Sequence, residues 1–225
     1  MVEVIVFAEG QSDEQFLKRV VAPSLRQHQV FLKPVTMNTS KDSSGGAVNF
    51  DRLRFNVRNT LRQSGSTYLT TFLDLYALDT SMPGQTSASL ITDPLHRAAH
   101  IEGALHTALV DDLGFRKERF IPYVQPYELE GLFFSSAEAI ARSVPGWQPA
   151  ETELLAVRQS FATPEHINDG YATKPSARLD AILRPRYRKT THAPLIGEHV
   201  GLSAITQQCA HFAQWVERLR QLQPL

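Results

Sequence analysis

The sequence predicts an α/β fold, with a mostly parallel sheet flanked by helices, from two observations. Segments of strand length alternate with segments of helical periodicity, and two of the strands end at a carboxylate. Residues 4–8 and 68–73 are apolar or β-branched runs with the composition of buried strands. Glu9 and Asp74 follow them directly. Strands separated by helical stretches indicate βαβ units, so we expect helices on the faces of the sheet.

The segment after the first strand is predicted to be a helix followed by an edge strand. Ser12 is a suitable N-cap residue, and apolar residues between 16 and 21 recur on one face. Residues 30–35 have strand composition, but Pro34 has no amide hydrogen to donate. A strand that contains proline is expected at the edge of a sheet.

The middle of the chain is predicted to contain two long helices. Residues 38–48 are polar and contain glycine, which is typical of a mobile loop. Residues 50–63 have helical spacing, and residues 94–113 form a second helical segment. Gly114 follows the second segment and is predicted to end it.

The last strand signal is residues 119–125, and residues 126–134 are then expected to form a helix or a turn. The final third has little strand signal, and residues 153–161 and 202–222 have helical patterns. We therefore expect an α/β core over residues 1–145 and a helical appendage over 146–225 that packs on the core. The alternative that the whole chain forms a single domain is left open.

The composition places only weak constraints on the function. The chain has 225 residues, of which 42% are hydrophobic, and it can bury a core of domain size. Its 23 basic residues balance 23 acidic ones, so nucleic-acid binding would need a local patch. Cys209 is the single cysteine, which excludes an intrachain disulfide. We expect a cytoplasmic protein, because the sequence has neither a secretion signal nor an apolar run of membrane-spanning length.

Two of the acids are predicted to share a crevice. Parallel strands end at the same edge of a sheet, so Glu9 and Asp74 are expected to lie close together and to bind a cation such as Mg²⁺. Asp13 is a third candidate, although an acid in a first helical turn also compensates the helix dipole. For Asp74, the alternative is a capping or turn aspartate.

Glu128 and Glu130 follow the last predicted strand. On a strand the two would share a face, whereas on a helix they would point in different directions. We expect at least one of them in the site, with Glu128 first because it is closer to the end of the strand. The alternative is that one of them faces solvent.

The segment 174–192 is rich in lysine and arginine. Phosphates need such residues without a fixed spacing, so this run is a candidate nucleic-acid contact. The alternative is that this run is an ordinary basic surface exposed to solvent. For His192, the alternative is a structural role. The candidate residues are Lys174, Arg178, Arg186, Lys189 and His192.

These segments resemble a TOPRIM-type bacterial family described as domain of unknown function 4276, which is related to the TOPRIM domain of OLD-type nucleases. The start AEGQSD at residues 8–13 is similar to the Val-Glu-Gly-x-Thr-Glu start of that domain. The resemblance extends over nearly the whole chain. Its further marks are residues 72–78 with 83–84, residues 122–134, and residues 174–176, 189–192, 201–202 and 209–212 with Trp215.

The resemblance implies a metal role for Glu9, Asp13 and Asp74. It also implies a second aspartate two residues after Asp74, where this chain has Tyr76. Tyrosine does not readily replace a carboxylate as a Mg²⁺ ligand, so either Glu128 or Glu130 fills the position or the site is altered. Members of the family resemble partners of an ATPase in phage-defence gene pairs.

Together these observations predict a Mg²⁺- or Mn²⁺-dependent nuclease that cleaves DNA or RNA and works with an ATPase encoded by a neighbouring gene. Homo-oligomerisation is left open. The alternatives are a non-catalytic subunit that binds the ATPase, and a phosphotransfer or nucleotide-binding enzyme. The expected catalytic residues are Glu9, Asp74 and Glu128, and the expected metal ligands are Glu9, Asp13, Asp74, Glu128 and Glu130.

Overall fold

A parallel β-sheet lies between two layers of helices. The computed structural model describes residues 1–37, 48–168 and 170–225. The expected α/β class with a mostly parallel sheet is confirmed. The strands in the described residues are β1 (Val2–Ala8), β2 (Val30–Thr36), β3 (Thr67–Asp74), β4 (Phe120–Ile121) and β5 (Val124–Gln125).

The strand order explains why two acids meet. The sheet has the order β2-β1-β3-β4, and β5 also pairs with β3. The chain leaves β1 toward β2 and then crosses back to place β3 on the other side of β1, so a topological switch point lies between β1 and β3. Ala8 is in register with Phe72 in this parallel pair. Ligands of open α/β sheets bind at such a point, beyond the carboxyl ends of the strands.

The predicted strand 119–125 is interrupted. Strands β4 and β5 each pair with β3, and Pro122 and Tyr123 between them leave the ladder. The Thr71 hydroxyl replaces part of the ladder, because it accepts from the Tyr123 amide and donates to the Tyr123 carbonyl, both at 2.8 Å. Proline at 122 lacks an amide hydrogen, which accounts for the break.

The helices cover both faces of the sheet. A π-helical turn at Leu17–Val21 joins the first two of them. The helices of the described residues are α1 (Gln11–Phe16), α2 (Ala22–Arg26), α3 (Phe50–Gln63), α4 (Gln85–Ala88), α5 (Pro94–Leu113), α6 (Leu129–Phe133), α7 (Ala137–Arg142), α8 (Glu151–Gln159), α9 (Pro175–Ile182), α10 (Lys189–Gln208) and α11 (Ala210–Arg220).

The sheet separates two hydrophobic cores. One core packs β1 and β3 against α3 and α5, through residues such as Leu69, Leu73 and Leu105. The other contains strand residues such as Phe72 together with Phe16 and many side chains after residue 146. The C-terminal helices therefore share a core with the sheet, while the proposed boundary at residue 145 stays a prediction.

Several local predictions have clear outcomes. Helix 94–113 is confirmed, and Gly114 ends it in the left-handed conformation with φ 64°. Ser12 as N-cap is wrong, since Gly10 is the N-cap and its amide donates to Asp13 Oδ2 at 3.0 Å. The predicted helix 202–222 is interrupted at Cys209. The predicted loop 38–48 lies, apart from Val48, outside the described residues.

Helix α10 approaches α1 very closely at a glycine. A Cβ atom added at Gly197 would lie 2.8 Å from Cδ2 of Phe16 and 3.3 Å from Cγ2 of Val20. Phe16 is fully buried and contacts Phe72, Phe133 and Phe212, so its ring has little room to move. Glycine at 197 is thus what allows α10 to pack directly against the element that follows β1.

We expect Gly197→Ala to lower the free energy of unfolding by about 1–3 kcal/mol, because overpacking forces the ring of Phe16 to shift. Gly103 in α5 is the matched control, since an added Cβ there would meet no atom within 4 Å. Gly103→Ala should raise stability by roughly 0.5–1 kcal/mol through helix propensity. Urea unfolding measures both, and equal effects of the two variants would refute the close-packing explanation.

Candidate functional site

A cluster of carboxylates surrounds one lysine beyond the carboxyl ends of β1 and β3. We call Glu9, Asp13, Asp74, Glu130 and Lys189 the acidic cluster. The Lys189 ammonium lies 3.3 Å from Glu130 Oε2 and 3.7 Å from Asp74 Oδ2. Segments from distant parts of the chain supply these groups, so the cluster exists only in the folded protein.

The sheet positions the first two carboxylates. Glu9 follows β1, and its Oε1 accepts a hydrogen bond from the Asp74 amide at 3.1 Å. Asp74 ends β3, is 6% exposed, and accepts from the Leu129 amide at 3.2 Å through Oδ1. Adjacent parallel strands therefore bring Glu9 and Asp74 together, as the sequence predicted.

Asp13 and Glu130 enter the cluster from helices. Asp13 uses Oδ2 to accept from the Gly10 amide, whereas its buried Oδ1 has no hydrogen-bond partner among the described residues. Glu130 is fully buried in α6, and its Oε1 accepts from the Tyr187 hydroxyl at 3.0 Å. Its Oε2 has the ammonium of Lys189 as its neighbour but no hydrogen bond within the described part of the chain.

Burial and mutual repulsion raise the pKa values of Glu9, Asp13 and Asp74. Desolvation and the charge of Asp13 raise the pKa of Glu9 to about 7. Desolvation raises the pKa of Asp13 to about 6, although the nearby Lys189 opposes this change. The pKa of Asp74 is likewise raised, first by burial and then by its acidic neighbours. One lysine therefore does not offset the burial and mutual repulsion of these three carboxyl groups.

Lys189 stays protonated in this environment. Burial alone would lower its pKa, but the carboxylates of Glu130 and Asp74, followed by those of Asp13 and Glu128, raise it further than burial lowers it. The sequence assigned Lys189 to a nucleic-acid surface, and no local signal marks it as the counter-charge of the cluster. Tyr187, which donates to Glu130, was also missed.

The donor chemistry of the cluster fits a hard divalent cation. All of its ligating atoms are carboxylate oxygens, which Mg²⁺ and Mn²⁺ prefer. The buried oxygens Asp13 Oδ1 and Glu130 Oε2 lack hydrogen bonds from the described residues, as a cation site requires. In the same part of the chain, no three acidic, histidine or cysteine side chains are arranged to share one metal ion. Lys189 instead lies next to two of these carboxylates, those of Asp74 and Glu130.

Glu128 lies beside the cluster, with both of its oxygens engaged. Oε1 accepts from the Lys174 ammonium at 2.9 Å, and Oε2 accepts from the Ser176 amide at 3.0 Å in the first turn of α9. Burial would raise the pKa of Glu128, but these contacts lower it below its usual value. Glu128 ties α9 to the core, and its predicted role as a ligand and catalytic group stays a prediction.

The other basic candidates contact the protein itself. Arg178 donates to the Thr173 carbonyl at 2.5 Å and lies over the ring of Phe161. Arg186 pairs with Asp180 through two hydrogen bonds, at 2.5 and 2.7 Å. These intrachain contacts reduce the charge that the segment offers to a duplex.

His192 sits among aromatic rings. Its ring meets Trp147 edge-on at 4.9 Å, and Nδ1 accepts from the Arg188 amide at 3.0 Å. Burial and the charge of Arg188 lower its pKa, so the imidazole is neutral at pH 7. A packing role therefore accounts for the contacts of His192, and nucleic-acid binding by the five basic candidates stays a prediction.

The chain belongs to the family described as Domain of unknown function (DUF4276), whose model matches residues 8–220. The matched range includes every member of the acidic cluster, from Glu9 to Lys189. Neither a curated protein nor a solved structure matches the chain. Among the described residues, none of the helices combines the length and the hydropathy that a membrane span needs.

We expect Glu9→Gln to stabilise the metal-free protein at pH 8 by about 1–3 kcal/mol, because it removes a buried charge yet keeps the acceptor for the Asp74 amide. The pKa of Glu9 is raised from 4.5 to about 7, so the native wild type gains a proton and stability as the pH falls through this window. The advantage of the variant should therefore shrink toward pH 5.

Urea unfolding between pH 5 and pH 8 in the presence of a chelator measures this difference. Glu153→Gln is the control, because Glu153 is exposed on α8 and far in sequence from the cluster. A stability difference between Glu9→Gln and wild type that does not change with pH would show that Glu9 has an ordinary pKa.

Proposed function

We propose that the protein is a metal-dependent phosphodiesterase that cleaves nucleic acid at the acidic cluster. The observation that carries the proposal is that Glu9, Asp13, Asp74 and Glu130 meet beyond the ends of β1 and β3, where Lys189 pairs with Asp74 and Glu130. Buried carboxylates that repel one another are costly unless a cation offsets them. A divalent ion offsets more of this charge than a single ammonium group.

Glu9, Asp13, Asp74 and Glu130 would hold the ion. Mg²⁺ or Mn²⁺, when bound, supplies positive charge that polarises a phosphoryl oxygen and stabilises the charge that develops during cleavage. Asp13 and Glu130 support this assignment, because each has a buried oxygen that no hydrogen bond from the described residues satisfies.

Glu9 is suited to moving a proton. Its pKa of about 7 lies near physiological pH, where a carboxyl group exchanges protons most usefully as a general base or acid. The Asp74 amide fixes one of its oxygens, which orients the other. Lys189 stays protonated and, once moved away from Glu130, offers its charge to a phosphate oxygen.

The second candidate is a non-catalytic subunit that binds an ATPase and senses nucleic acid or a phage component. Two observations favour it. Lys189 already lies within 4 Å of two of the acids and provides a built-in cation. Tyr76 occupies the position where the TOPRIM pattern has a second aspartate. A site of this kind would keep its shape without metal.

The proposed setting is a cytoplasmic two-gene phage-defence system, in which the neighbouring gene encodes an ATPase. The resemblance to TOPRIM-type partners of such ATPases supports it. Co-purification of the tagged chain with the neighbouring gene product tests the association. Recovery of the tagged chain alone would contradict it.

We expect Mg²⁺ or Mn²⁺ to raise the melting temperature of the wild type by binding to its native state. Glu9→Gln and Asp74→Asn should lose this increase, because each removes a charged ligand but keeps a hydrogen-bond acceptor. Asp111→Asn is the control, since Asp111 is exposed near the C-terminal end of α5. An equal metal response in all four proteins would refute the ligand assignment.

We expect the protein to cleave plasmid DNA or structured RNA in a metal-dependent reaction. The isolated chain should cleave slowly, because Lys189 occupies the cation position, and addition of the partner should raise the rate. Glu9→Gln should lower the rate by at least about 100-fold, the scale of a lost general base. The non-catalytic subunit would be favoured if cells with the Glu9→Gln variant keep their defence against phage and if the wild type cleaves nucleic acid under no condition. Turnover of free nucleotides alone would favour a phosphotransfer enzyme.

A further inference from the structure

Two tyrosine rings flank one lysine at the edge of the acidic cluster. The Lys174 ammonium lies 4.8 Å from the ring centroid of Tyr76 and 5.4 Å from that of Tyr171. Glu128 holds the same ammonium at 2.9 Å, and Glu128 is itself close enough to the cluster to influence Lys189. The two rings therefore have a defined position next to the acids.

Both rings are accessible. Tyr171 is 78% exposed and Tyr76 is 36% exposed, whereas the aromatic side chains of the cores are almost fully buried. Tyr171 therefore contributes little to the hydrophobic core, because stabilisation depends on the apolar area that is removed from water. Tyr76 is partly covered but keeps part of its ring open to solvent.

The backbone around Tyr76 is fixed to the site. Tyr76 follows Asp74 by two residues in a short 3-10 turn at Leu75–Ala77. Its amide donates to the Tyr127 carbonyl at 3.0 Å, which ties the turn to the segment that carries Glu128. A ligand stacked on Tyr76 would thus lie at a set distance from the Asp74 carboxylate.

We propose that Tyr76 and Tyr171 form a stacking platform for unpaired nucleobases, with Lys174 available to a neighbouring phosphate, so that the substrate class is single-stranded nucleic acid. This inference rests on the proposed function, because it concerns the same site. Every base has a π-face, so stacking on exposed aromatic rings binds single strands without sequence preference. Lysine keeps further N–H donors after one is given to Glu128.

The charge distribution favours a single strand over a duplex. Duplex binding depends mainly on neutralising phosphates, and this chain has a net charge of zero. Arg186 pairs with Asp180, and Lys189 faces the acidic cluster, so two of the basic residues in segment 174–192 are already engaged. Stacking supplies affinity that does not require a large positive surface, and it is available only to unpaired bases.

Fluorescence anisotropy with the full-length chain in a chelator tests the platform without cleavage. The probes are labelled oligo-dT and oligo-U of about 20 nucleotides and a duplex of equal length, a length that covers one single-strand site. We expect the wild type to prefer the single strands. Tyr171→Ala should weaken single-strand binding by about tenfold, the scale of one lost base stack, and the double change with Tyr76→Ala should weaken it further.

Two controls separate stacking from other effects. Tyr171→Phe keeps the ring and should bind within about twofold of wild type, since stacking needs the π-face and not the hydroxyl. Phe55→Ala removes an aromatic side chain that is 58% exposed on α3 and should leave binding unchanged. Tyr171 is so exposed that its replacement by alanine should not perturb the fold, and a melting curve verifies this.

Three results would overturn the platform: no single-strand binding by the wild type, equal or tighter binding of the duplex, or unchanged affinity in both alanine variants. The same proteins with Mg²⁺ or Mn²⁺ and the neighbouring gene product report separately on cleavage. Tyrosine-dependent binding without any cleavage would refute the nuclease and support the platform. Cleavage with tyrosine-independent binding would refute the platform and support the nuclease.

Discussion

The ion pairing between Lys189 and the buried carboxylates is the interaction on which the rest of the structure depends. Glu9 and Asp74 come from the ends of neighbouring strands, Glu130 from α6 and Lys189 from the start of α10. A buried carboxylate without a partner costs several kcal/mol, and this site brings several such groups together. The ammonium group makes that concentration of charge compatible with folding, and it links the sheet to the C-terminal helices.

The packing of α10 shows how the lysine reaches its place. Gly197 allows α10 to lie against Phe16 of α1, and α1 also carries Asp13. At the start of the same region, Tyr187 donates to Glu130 and directs the chain across the cluster immediately before Lys189. The C-terminal helices thus supply part of the site as well as part of the core. An excised α/β core would leave these carboxylates without their counter-charge.

Local sequence patterns predicted the strands and the convergence of Glu9 with Asp74, because a strand followed by an acid is a local signal and parallel strands end at a common edge. The position of Lys189 could not be predicted in this way. It depends on a contact with Glu130, 59 residues earlier in the sequence, and the surrounding basic run resembles a surface. The Gly10 cap was missed for a different, local reason: serine is a common N-cap residue, but here the side chain of Asp13 accepts from the Gly10 amide.

Under the proposed function, Tyr76 and Glu130 together would account for the departure from the TOPRIM pattern. The sequence left open whether Glu128 or Glu130 compensates for the missing second aspartate, and the geometry favours Glu130, whose Oε2 faces Lys189 while Glu128 is held by Lys174 and Ser176. With a carboxylate supplied from α6, residue 76 need not be acidic. Its ring is then able to lie over Lys174, in the position that the proposed stacking platform uses.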